Sequence, residues 1–174
     1  MNLLAVGRRA PCGATRRKEL SMPAKLLKEF LDREHVSYVS IQHSPAYTAQ
    51  EIAASAHVPG RDMAKTVILK IDGRLAMAAL PANRKIVLAD LREATGAQDV
   101  KFATEDEFKA LFPDCETGAM PPFGNLYGLE VFVAPSLTQE REIAFNAGTH
   151  TEVIKMAYQD FERLVHPKVM MFTT

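Results

Sequence analysis

The chain has 174 residues, 47% of them hydrophobic and 24% charged. That is the composition of one globular domain, and it excludes a disordered or collagen-like chain. Lys and Arg (21) balance Asp and Glu (21), which excludes a protein that grips DNA or any other nucleic acid by bulk charge alone.

The balance is uneven along the chain. Residues 1–21 carry five basic residues against Glu19, a net +4, and the remainder carries −4. This N-terminal stretch has no helical or strand periodicity and holds Gly7, Pro11 and Gly13 among its arginines. It reads as a disordered basic tail, with Met22 as an alternative start, or as an arm for nucleic acid. Its short apolar run, Leu3 to Val6, is too brief for a secretion signal. No run of about 18 apolar residues marks a membrane span. Residues 22–174 are expected to form a single domain.

Folding signals start at Ser21, a helix cap with Pro23 in the first turn. Leu26, Leu27, Phe30 and Leu31 follow as one buried face. Residues 38–41 read as a strand and 43–47 as a loop. Thr48 and Glu51 form a capping box that opens a helix running towards His57, closed by Pro59 and Gly60. Residues 65–71 and 75–80 are strands joined by an Asp72-Gly73 hairpin turn. The spacing predicts a helix over 86–94, a strand over 100–102, and a short helix opened by a second capping box at Thr104 and Glu107. A loop rich in Gly and Pro spans 113–124. Strands over 129–133, 143–145 and 152–154 precede a final helix over 158–165. Helices and strands mix without a regular βαβ rhythm, so the expected class is α+β, with a mixed or antiparallel sheet and helices outside it.

Phosphate-loop, dinucleotide, zinc-protease and nucleophile-elbow motifs are all missing. Cys12 and Cys115 sit in no disulfide or zinc spacing, and a reduced, cytoplasmic compartment is the simplest expectation. Cys115 stands without an adjacent base. Three features remain. Lys65 opens an apolar strand, either as a solvated strand end or as a cation aimed at a phosphate or carbonyl. The segment from Gly118 to Gly124 is either a rigid connector or a loop whose N–H groups approach a ligand. Residues 145–150 are either a plain hairpin or the polar wall of a pocket.

At these places the sequence resembles the YbaK/prolyl-tRNA-synthetase-associated editing domains. The resemblance rests on four ordered segments: HSPAYTAQEIA (43–53), MAKTVILK with Lys65, GAMPPFG (118–124) and FNAGTH (145–150). It spans about Met22 to Phe172. It implies a mixed, largely antiparallel sheet curled into a partial barrel, ringed by helices. The implied activity is hydrolysis of the ester joining a wrong, small amino acid to transfer RNA, often tRNA for proline. No metal or other cofactor is implied. Its partners would be mischarged tRNA and, beyond it, an aminoacyl-tRNA synthetase. The family's lysine falls on Lys65, its Gly-x-x-x-Pro loop on Gly118 and Pro122, and its third motif on Gly148 and His150. Lys65, Gly118 and Gly148 are thereby the expected catalytic positions. His43, Tyr47, Thr48, Pro122, Phe123, Asn146 and His150 are the expected substrate-binding ones. A non-catalytic module of the same fold, holding tRNA or a synthetase, is the alternative.

Overall fold

The computed structural model describes residues 25–174. The expected N-terminal tail and the Ser21 cap with Pro23 lie outside the described residues. In chain order the elements are α1 (Lys25–Arg33), β1 (Tyr38–Gln42), α2 (Ala49–Ser55), β2 (Met63–Ile71), β3 (Arg74–Pro81), α3 (Leu88–Thr95), β4 (Val100–Phe102), α4 (Glu105–Phe108), β5 (Glu130–Val133), β6 (Glu142–Asn146), β7 (Glu152–Ala157), α5 (Tyr158–Val165) and β8 (Lys168–Val169). Short 3-10 turns cover Lys109–Leu111, Gly124–Tyr127 and Leu137–Gln139.

The sheet runs β1-β7-β6-β2-β3-β5-β8, with β4 added to β2. The path ends at β1 and β8 and is not closed into a barrel. Most of the register is antiparallel, in the pairs β1/β7, β6/β7, β2/β3 and β2/β4. The pairs β2/β6, β3/β5 and β5/β8 are parallel. The class is α+β, as the mixed rhythm predicts.

Strand β2 organises the sheet. One edge pairs along its length with β3 through a tight turn, in which Asp72 and Gly73 both have positive φ (46° and 83°). That is the backbone a two-residue hairpin needs. The other edge is shared. Met63 and Ala64 pair with β6, and Leu69 to Ile71 pair with β4. Residues 65–67 therefore have no strand partner on that edge among the described residues.

Strand alternation sorts the side chains into two faces. One face carries Ala64, Ile68, Met77, Phe145 and Ile154 into the main core, where Leu27 and Leu31 of α1 and Tyr158 and Phe161 of α5 cover them. Leu26, placed on the buried stripe by spacing, is instead 42% exposed, because the stripe centres on Leu27 and Leu31. The opposite face is split. Under α2, Met63, Ala144 and Val153 meet Ile52, Ala53 and Ala56, with Ala46 and Ala82 beside them. Under α3, Leu69, Ala78, Leu80 and Phe132 meet Leu91 and Phe172. By alternation Lys65 lies on this second face, between Met63 of one cluster and Val67 and Leu69 of the other.

One polar group ties α1 to the sheet. Glu152 on β7 is buried, and its carboxylate accepts from the Lys28 ammonium of α1 and, at 2.5 Å, from the Ser40 hydroxyl of β1. Burial alone pushes this carboxyl up. The hydrogen bonds from Lys28, Ser40 and Gln42 and the Lys28 charge outweigh it, so the group titrates below the usual glutamate range. A depressed carboxylate stabilises the fold above its unfolded pKa and loses that contribution as pH falls through the folded value. We expect Glu152→Gln to lower stability at pH 7 by roughly 1–3 kcal/mol, since a charged acceptor is lost. The gap in melting temperature between the two proteins should close below about pH 4. A gap that stays constant from pH 7 to pH 3 would show that the charge of Glu152 carries none of this.

Candidate active site

Two segments far apart in sequence meet at the end of β6. The Glu116 N–H donates to Gly148 O (2.8 Å), and the Gly148 N–H returns to Ala119 O (2.9 Å). Gly118 and Gly148 have φ of +85° and +92°. A Cβ on Gly118 would also meet His150 Cε1 at 3.6 Å. Side-chain contacts seal the junction. The Glu116 carboxylate accepts from the His150 N–H at 2.6 Å, and His150 Nε2 lies 3.0 Å from Thr117 O. A carbonyl only accepts, so Nε2 carries the hydrogen and, in the neutral ring, Nδ1 is the lone-pair nitrogen. That Nδ1 is buried without a partner.

The loop before α2 closes over the same junction. The His43 N–H donates to Thr151 O (2.9 Å) and the Ala46 N–H to His150 O (3.2 Å). The Tyr47 ring, 73% exposed, sits 5.0 Å from the His150 ring. His43 Nδ1 donates to Ser44 O at 2.8 Å, leaving Nε2 as a buried, unpartnered acceptor. Thr48 is spent on the helix cap: its side chain accepts from the Glu51 N–H, and its own N–H donates to Glu51.

The junction thus joins Gly118, Gly148, His150, His43 and Tyr47. Other expected site residues stand differently. Only the start of the Gly118 loop is exposed; Ala119, Met120, Pro121 and Pro122 are buried. Phe123 is fully buried, with its ring against Phe30, Phe145 and Phe161. Its place is that of an anchor for the loop. Behind it, a Cβ on Gly124 would lie 2.6 Å from Val131 Cγ2 and 2.8 Å from Leu129 O, so only glycine fits there.

Lys65 lies one strand away. Its Nζ donates to Arg84 O (2.6 Å) and Ala82 O (3.4 Å) in the loop after β3. Burial, and secondarily the Lys85 charge, lower its pKa. Lys65, Arg84 and Lys85 have no carboxylate partner among the described residues, whereas most other cations do. Asn146 ends β6, beside Val153, on the face that carries Lys65. Sequence reasoning did not find Glu116, Arg84 or Lys85. Each is an ordinary surface residue until the fold brings it to a partner.

Among the described residues no group of three His, Cys, Asp or Glu side chains gathers to hold a metal ion, and no helix is long and apolar enough to cross a membrane.

This sequence matches the model of the aminoacyl-tRNA editing domain over residues 43–164, and the chain belongs to that family. It is 26% identical over 141 residues to the prolyl-tRNA editing protein ProX of Acetoanaerobium sticklandii, covering 78% of this chain and 85% of that one. To the multifunctional Ser/Thr-tRNA deacylase ProXp-y of Escherichia coli K12 it is 29% identical over 114 residues, covering 63% and 68%. Its fold is shared by the crystal structure of a proposed trans-editing enzyme for prolyl-tRNA synthetase, with a TM-score of 0.75, 17% identity and coverage of 87% of this chain and 97% of that one. The hypothetical protein APE2540 gives a TM-score of 0.77 at 16% identity, covering 86% and all of that chain.

Cys115 lies near the junction in sequence but is poorly built for nucleophilic chemistry. Burial pushes its thiol up, and its Sγ lies 3.7 Å from the Tyr127 hydroxyl. Its reaction with iodoacetamide at pH 7.5 is expected to be at least about tenfold slower than that of a free cysteine. Peptide mass mapping resolves it from Cys12. Labelling at the free-cysteine rate would make Cys115 a candidate nucleophile.

Proposed function

We propose that this editing-domain protein hydrolyses the ester between a mismatched small amino acid and transfer RNA, acting in the cytoplasm. The observation that carries the reading is the junction of the Gly118 loop with the Gly148 turn. It holds a backbone N–H, that of Gly118, at an exposed position where no described residue accepts from it. An aminoacyl ester is already activated. Hydrolysis needs water at the carbonyl carbon and a donor for the oxyanion that forms. A fixed backbone N–H supplies the donor without a nucleophilic side chain. The ribose hydroxyl next to the ester, supplied by the substrate, helps to activate the water, and the other ribose oxygen leaves.

Lys65 acts at the RNA side. Its ammonium organises the loop that carries Arg84 and Lys85, and these three cations offer their charge to the phosphates of the acceptor end, the lysines as point charges and Arg84 as a planar fork. A positive site this small suits a chain of zero net charge. It anchors one terminus of the RNA, and a bound synthetase would supply the remaining affinity.

A panel of mischarged tRNAs, followed by loss of the ester, tests the activity. A protein that binds these tRNAs and hydrolyses none is a binding module, and the proposal falls. Lys65→Ala should fold and lose at least about tenfold in deacylation, the effect of one charge-assisted contact. Gly118→Val should lower the single-turnover rate about 100-fold with tRNA binding little changed, because a β-branched residue resists φ of +85° and displaces the donor. Wild-type rates in variants that melt normally would remove Lys65 or the loop from the site.

A further inference from the structure

Asn146 is 8% exposed, and its carboxamide oxygen is buried without a hydrogen-bond partner. Neither atom of the carboxamide bonds to any described residue. A buried orphan acceptor costs free energy that a plain hairpin residue has no reason to incur. Around the junction the other unmatched buried side-chain atoms are His43 Nε2 and His150 Nδ1, and the ring tautomers make both of them acceptors too. The face offers neutral lone pairs, and the nearby carboxylate, Glu116, is engaged with the His150 N–H. The buried unmatched atoms are all acceptors, so the group that satisfies them is a hydrogen-bond donor.

An aminoacyl ester carries one such group, its α-ammonium, with three N–H donors. We propose that Asn146 Oδ1 receives the α-ammonium of the aminoacyl group, so that the substrate class is esters of amino acids with a free amine. This rests on the deacylase reading above. A neutral receptor also suits its neighbourhood. Asn146 and Lys65 share a face on adjacent strands, and a carboxylate at 146 would draw the Lys65 ammonium away from phosphate.

The test uses alanyl-, seryl- and threonyl-tRNA, each with its amine free or N-acetylated. The wild-type protein should prefer the free amine by at least about tenfold. Asn146→Leu, of similar volume, should bring the ratio near one by slowing the free-amine esters on all three tRNAs. Asn146→Asp keeps an acceptor and should keep the preference, whatever its effect on the absolute rate; it also serves if the leucine variant does not fold. Three results would overturn the inference: equal wild-type rates on both forms, a normal ratio in Asn146→Leu, or an effect confined to seryl- and threonyl-tRNA. The last would assign Asn146 to a side-chain hydroxyl. A preference lost in Asn146→Asp and not restored by adding Lys65→Ala, which frees the carboxylate, would make the carboxamide N–H the acting group, and would also overturn it. Hydrolysis of none of the esters by wild type would instead refute the deacylase reading itself, and this inference with it.

Discussion

Two amide hydrogen bonds, Glu116 N–H to Gly148 O and Gly148 N–H to Ala119 O, hold together everything placed at the end of β6. Neither involves a side chain, so this pairing tolerates most substitutions outside Glu116 and His150, whose side chains also seal the junction. It is sensitive to backbone shape, because both glycines adopt conformations that an L side chain resists. The loop around it is stiffened from behind, where Phe123 fills the core and Gly124 abuts β5. The Gly118 N–H that the junction holds at an exposed position, with no acceptor among the described residues, is a fixed dipole that needs no reorganisation when charge develops near it. The proposed hydrolysis would use such a backbone donor in place of a serine–histidine or cysteine–histidine pair.

The second constraint is electrostatic. Most cations of the described chain are held by carboxylates at the surface, and such pairs add little stability. They do remove charge from the field that an approaching RNA meets. Lys65 is partly desolvated and answered only by backbone carbonyls, so no carboxylate among the described residues neutralises it. Selective pairing of this kind makes a neutral protein locally cationic.

Much of the frame was legible in the sequence. The Thr48 capping box, the Asp72-Gly73 hairpin and the strand at residues 100–102 rest on local chemistry, and the structure has them where the spacing put them. The two-residue β8 and the 3-10 turns were not legible, since so few residues carry no periodicity. The candidate site was legible in its motifs and not in its contacts. Phe123 shows why: within GAMPPFG a core anchor and a ligand-facing residue look alike, and only packing separates them. Glu116 and Arg84 act through partners more than fifteen residues away, which no window on the chain reports.

The alanines beneath α2 carry a consequence for divergence. Ala46, Ala53, Ala56, Ala82 and Ala144 line the seam between that helix and the sheet, on the face where Asn146 stands. Ala53, Ala56 and Ala144 make no hydrogen bond to the glycine turns or to Lys65, so a lineage can add carbons there and leave those contacts in place. Each addition costs about 1–3 kcal/mol of overpacking unless a neighbour shrinks to match. The glycine turns and the packing of the α2 seam thus rest on separate positions. A chain so built can repack that seam in matched pairs, one side chain growing as its neighbour shrinks, while the glycine turns keep their shape.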